Sequence, residues 1–188
     1  MSLKPPVSAR DHIQGNSDAA IELVEYGDYQ CPYCGRAYPI IKLIQQRFGD
    51  NLKFVFRNFP LSEIHPQAKK AAVAAEAADK QNKFWQMHDI IFENQQQLHQ
   101  SALMEYAKLI GLDVEQFKDD LTNDELVKRV EDDLEIGAGQ KVGPNFRTKR
   151  KKSDDHEQSE ERTENIEKAP RRTGMLRGRH VTILKFRL

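Results

Sequence analysis

Two cysteines three residues apart, Cys31 and Cys34, are the only thiols in the chain. A thiol attacks as the thiolate, and a helix N-terminus favours that charge through its unpaired N–H groups and the positive end of its dipole. In the run Cys31-Pro32-Tyr33-Cys34, the second thiol falls one turn on from the first, near enough to close a small disulfide ring. This spacing makes Cys31 the exposed attacking sulfur and Cys34 the less exposed resolving one. Pro32 suits a helix start, and Pro32 and Tyr33 together tune thiolate stabilisation and hence the reduction potential. The same pair could be half of a zinc site, or two close cysteines with a packing role. Zinc needs two more ligands, and His12, His65, His88, His99, His156 and His180 include no His-x3–5-His pair; no metal ligand is assigned. Glu25, shortly before the thiols, could accept a proton from the resolving cysteine or simply face solvent from a strand.

These residues need elements to hold them. The run 19–26 is short, apolar and partly β-branched and ends at Gly27-Asp28, which predicts a buried strand. From Cys34 to Phe48 the positions Ala37, Ile40, Ile41, Ile44 and Phe48 recur at helical spacing. Pro39 inside that stretch predicts a kink, and Gly49 a stop. Leu52 to Asn58 reads as a second strand. Strand, helix and strand form a βαβ unit with parallel strands, so the thiols sit past the carboxyl end of the first strand, where open α/β sheets place their chemistry. Residues 66–136 read as helices, with Pro66 at the first helical position, Asn123 or Thr122 as a cap, and segments near 68–78, 84–94, 102–110, 114–121 and up to 136. Phe84, Trp85 and His88 read as core residues, and His65 as part of a turn.

The composition divides the 188-residue chain. Residues 1–146 carry 16 Lys+Arg and 22 Asp+Glu, a balance of −6, and residues 147–188 carry 13 and 7, a balance of +6. The second part holds only nine apolar residues, too few to offset ordering entropy, so a disordered basic tail is expected. Its run Lys149–Lys152 reads as a solvated segment rather than a nucleic-acid site, while His180–Leu188 could form a strand. The reading is thus an arm at 1–17, an α/β domain at 18–146 with a helical insertion at about 66–136, and a tail at 147–188. No window is apolar over the roughly 18 residues of a membrane span, and no signal-like apolar core is found near the start. A cytoplasmic location is expected, with no membrane association. Two cysteines alone do not staple a secreted scaffold.

Several motifs agree in order and spacing with one family. Asp11-His12-Ile13-Gln14-Gly15, the run Val24 to Cys34, Phe54-Val55-Phe56-Arg57-Asn58-Phe59-Pro60-Leu61, His65-Pro66 and Lys83-Phe84-Trp85-Gln86-Met87-His88 resemble the DsbA-like thiol–disulfide oxidoreductases of the thioredoxin superfamily, over about residues 11–136. The resemblance implies a thioredoxin-like fold with a helical insertion. It also implies disulfide exchange with protein or small-thiol substrates, or with a thioredoxin-type redox partner, with Cys31 as nucleophile, Cys34 as resolving cysteine and no cofactor. In the family a loop with a cis-proline facing the thiols follows the last inserted helix, then an antiparallel hairpin and a final helix. Here only Val142-Gly143-Pro144-Asn145-Phe146 is found, with Pro144 near the cis-proline position. The expected sheet therefore keeps two parallel strands and leaves apolar surface open on the active helix. The chain from about residue 140 reads as a frame change or a fusion. Two other functions follow from that departure and from the zinc alternative: a catalytically impaired thiol-protein binding module, and a zinc-binding module.

Overall fold

A computed structural model of the chain describes residues 3–139 and 180–185. The described residues fold as β1 (His12–Gly15), β2 (Ile21–Gly27), α1 (Pro32–Phe48), a 3-10 turn (Gly49–Asn51), β3 (Leu52–Asn58), α2 (Ala68–Asp79), α3 (Phe84–Glu93), α4 (Gln100–Leu109), α5 (Val114–Asp120), α6 (Asp124–Gly139) and β4 (His180–Lys185). All of them belong to one compact unit. The tail expected at 147–188 and the residue Pro144 lie outside the described residues, apart from β4.

The central β2-α1-β3 unit forms as its apolar pattern predicts. β2 and β3 are parallel, with Leu23 opposite Phe54 and Glu25 opposite Phe56. All seven residues of β3 are buried, as a strand covered on both faces requires. One face packs Leu23, Phe54 and Phe56 against α1 and the inserted helices. The other packs Val24, Tyr26 and Val55 with Leu3, Phe59 and part of α6. Gly27 ends β2 where a Cβ would overlap the Phe56 ring. α1 passes through Pro39 as one continuous helix and ends at Gly49, whose φ of 47° suits glycine.

Among the described residues the sheet has four strands rather than two, in the order β1-β3-β2-β4. β1 comes from the segment read as an N-terminal arm and pairs antiparallel with β3, His12 opposite Phe56. A side-chain fork holds that arm in place. The Arg57 guanidinium on β3 donates to both carboxylate oxygens of Asp11, at 2.5 and 3.0 Å, and to the Tyr26 hydroxyl at 2.8 Å. Such bidentate pairs combine charge with geometry. β4 pairs with β2 on the opposite side, parallel, from Ile21 opposite His180 to Tyr26 opposite Lys185. The C-terminal strand expected as an option is therefore present beside β2, and it runs parallel where the family hairpin would run antiparallel.

The inserted helices follow the sequence reading to within three residues, because their caps are local. Asp113 accepts from the Gln116 N–H at 3.0 Å, and Asn123 accepts from the Glu125 N–H at 2.9 Å. Pro66 instead lies in a turn, and α2 opens two residues later. In α2 nine of twelve residues are buried, seven of them alanine, so this helix packs closely against its neighbours without bulky side chains.

Candidate active site

Cys31 is the N-cap of α1, with extended backbone (φ −70°, ψ 122°), and Pro32 follows inside the first turn. Pro32 is well placed there because the first helical N–H groups have no intrahelical acceptor. The Gly35 N–H donates to the Cys31 carbonyl at 3.0 Å, closing the first helical turn. Both cysteines are free thiols. Tyr33, between them, is 46% exposed, with the Arg36 guanidinium 4.4 Å over its ring.

Cys31 is 2% exposed, as is Cys34, so the structure does not show the exposed attacking sulfur that the spacing alone suggested. The turn carrying Cys31 is tied from two directions. Asp28, at the end of β2, accepts from the N–H groups of Gln30 (2.8 Å) and Cys31 (3.1 Å) with one oxygen. Its other oxygen meets the Leu61 N–H and His65 Nδ1, both at 2.8 Å. Gln95, between α3 and α4, donates its amide N–H groups to the carbonyls of Tyr29 (2.8 Å) and Cys31 (3.1 Å). His65, read as a turn residue, therefore also braces the Asp28 carboxylate.

The electrostatics separate the groups. Burial pushes the Cys34 thiol well above the usual range. The Asp28 N–H, 3.4 Å from its sulfur, works the other way, while the nearby charges of Glu25 and Cys31 add to the rise. Glu25 is 2% exposed and so faces the interior, not solvent. Burial lifts its carboxyl to about 8, and its Oε1 has no hydrogen-bond partner among the described residues. His88 is buried among Tyr29, Phe56, Phe84, Trp85 and Phe92. Burial holds it far below the ordinary histidine range, so it stays neutral, paired with the Tyr29 hydroxyl at 3.0 Å. Phe84, Trp85 and His88 are core residues here, as their helix pattern suggested.

Of the six site residues the sequence named, the structure brings Cys31, Cys34, Pro32, Tyr33 and Glu25 together at the end of β2 and the start of α1, and Pro144 lies outside the described residues. Sequence reasoning missed Asp28 and Gln95. An Asp immediately after a strand and before a helix start is a recognisable turn acceptor; Gln95, inside the polar stretch Asn94-Gln95-Gln96-Gln97, carries no such signal. Among the described residues, the group with metal-ligand spacing is His12, Glu76 and Asp79, and neither cysteine belongs to it. In that group Arg129 already pairs with Glu76 and approaches His12 at 3.0 Å.

Sheet order, inserted helices and the dithiol at the start of α1 define a thioredoxin-type α/β domain. A family model described as thioredoxin matches residues 8–168. A thioredoxin-like oxidoreductase from Silicibacter pomeroyi superposes with a TM-score of 0.63 and 25% identity, over 70% of this chain and 74% of that one. Oxidised BdbD from Bacillus subtilis gives 0.60 and 28%, over 69% and 75%. The chain belongs to the thioredoxin family and, within that superfamily, to the DsbA-like thiol–disulfide oxidoreductases. This fold and family support thiol–disulfide exchange in general. By sequence, the chain is also 44% identical over 135 residues to the Na(+)/H(+) antiporter NhaA 1 of Mycolicibacterium vanbaalenii. That match covers 71% of this chain but only 22% of the relative, so the chain spans about a fifth of the length of such relatives. No described helix is long and apolar enough to cross a membrane.

Proposed function

We propose that the chain exchanges disulfides with protein or small-thiol substrates through Cys31 and Cys34. The observation that carries this reading is Cys31 at the N-cap of α1 with Cys34 one turn on, its sulfur accepting from the Asp28 N–H. The Cys31 thiolate attacks one sulfur of a substrate disulfide, forming a mixed disulfide and releasing one substrate thiolate. Cys34 then attacks the Cys31 sulfur, forming the internal disulfide and releasing the second substrate thiol. The substrate gains two electrons and the protein dithiol loses them; the reverse sequence oxidises a substrate dithiol. Glu25 takes the Cys34 proton in the resolving step, a role that suits a buried carboxyl raised to about 8 beside a thiol held protonated by burial. The cytoplasmic location remains part of the proposal, supported by the scarcity of cysteines, and recovery of the chain outside the cytoplasm on fractionation would overturn it.

The test is insulin reduction in the presence of dithiothreitol. The parent should accelerate it, Cys31→Ala should abolish the acceleration, and Cys34→Ala should accumulate a mixed disulfide with a substrate on non-reducing gels. A parent no faster than Cys31→Ala would sink the enzyme reading. The near-complete burial of both thiols favours one competing reading, a module that binds thiol proteins without turnover. It predicts retention of a thiol-bearing peptide together with parent and Cys31→Ala activities that coincide.

A further inference from the structure

We infer that Gln95, contributed by the helical insertion, is a positioning residue for the Cys31–Cys34 couple; the inference rests on the exchange function proposed above. Three observations converge on this side chain. Its amide donates to the carbonyl of Cys31 and to that of Tyr29. The Cys31 carbonyl is also the acceptor of the first helical hydrogen bond, from Gly35. A Cβ on Gly35 would overlap the Gln95 side-chain oxygen, so the first turn of α1 makes room for Gln95 by lacking a side chain there. Gln95 is half-buried and comes from the connection between α3 and α4, more than sixty residues after the thiols.

The physical consequence has a sign. A carbonyl is the negative end of its peptide dipole. The carbonyls of Tyr29 and Cys31 belong to the turn that carries the thiolate and oppose its charge unless donors neutralise them. Gln95 supplies those donors and so leaves the positive, N–H end of α1 to act on Cys31. A better stabilised thiolate favours the dithiol over the disulfide. Removing the amide should shift the equilibrium with glutathione toward the protein disulfide. In that equilibrium, protein dithiol and oxidised glutathione give protein disulfide and two reduced glutathiones.

The experiment equilibrates the full chain with glutathione redox buffers and reads the fraction of Cys31–Cys34 disulfide by thiol alkylation. Gln95→Met keeps the bulk but lacks donors, and should raise the oxidation equilibrium constant about fivefold, the worth of roughly one net hydrogen bond. Gly35→Ala should give a shift of the same sign by displacing Gln95. Adding Gln95→Met to Gly35→Ala should then change little, because both remove one interaction. A Gln95→Met chain that melts earlier yet matches the parent in equilibrium constant would overturn the inference and leave Gln95 a packing residue. A parent that forms no Cys31–Cys34 disulfide at any buffer ratio would overturn the exchange function and this inference together.

Discussion

Glu25 faces the interior of the sheet with a carboxyl lifted to about 8 by burial and an oxygen that meets no donor among the described residues. In an unfolded chain the same carboxyl titrates near its ordinary value. Its raised folded value means that ionisation opposes folding: the cost is absent below about pH 4.5, grows as pH rises, and is complete above pH 8. At full ionisation that cost is on the order of 5 kcal/mol. Glu25→Gln should therefore raise stability at pH 8.5, change it little at pH 4, and flatten the pH profile of urea unfolding between them. The same variant should slow the resolving step and remove the limb of its rate that climbs near pH 8. A parent whose stability holds level from pH 5 to pH 8.5 would refute the charge cost. At this scale the thiol pair was legible because two cysteines at helical spacing after a strand have few other uses. Whether Glu25 faced in or out was not, since both β2 faces are covered and alternation says nothing. Cys31 was misread as exposed: it lies in the main core cluster, which brings together elements far apart in the chain, and such packing is beyond any local pattern.

Among the elements, α2 is the hub. Its buried Glu76 meets His12 of β1 at 2.9 Å, accepts from the Asn58 side chain of β3 at 2.7 Å, and pairs with Arg129 of α6. Burial opposes its charge, but the His12 and Arg129 interactions prevail and hold its carboxyl below the usual range. Glu76→Ala would leave those partners without their carboxylate and should cost about 3–5 kcal/mol, whereas Lys69→Ala, which breaks an exposed pair with Glu131, should cost under about 1 kcal/mol. Equal losses in denaturant unfolding would refute the hub role. The helices were legible because their signals, apolar spacing and caps such as Asp113 and Asn123, are written within a few residues. β1 was not, because four residues carry little pattern. What fixes β1 is remote: its ladder with β3 and the Arg57–Asp11 fork, 46 positions apart.

For the whole molecule, the sheet closes with a strand drawn from the far end of the chain. Deleting residues 180–188 would leave the hydrogen-bonding edge of β2 unpaired, and should lower the melting temperature by about 5 °C; deleting only 186–188 should leave it within about 1 °C of the parent. Identical melting of all three would show that β4 adds nothing to stability. The parallel β2–β3 pair and the inserted helices were readable from one stretch of chain. The four-stranded order was not, because the apolar run at 180–188 names no partner, and the direction of β4 departs from the hairpin that the family resemblance suggests.

The parallel pairing of β2 with β4 bears on the order of events during synthesis. His180 lies 159 positions after Ile21, its partner. Once α6 has left the ribosome, about 40 further residues must be translated before β4 exists, roughly 2–8 s at ordinary elongation rates. Through that interval each nascent chain holds an apolar strand with an unsatisfied ladder, a template for a neighbouring chain on the same message. Slowing translation over codons 140–180 should lengthen the interval and increase aggregated product in proportion.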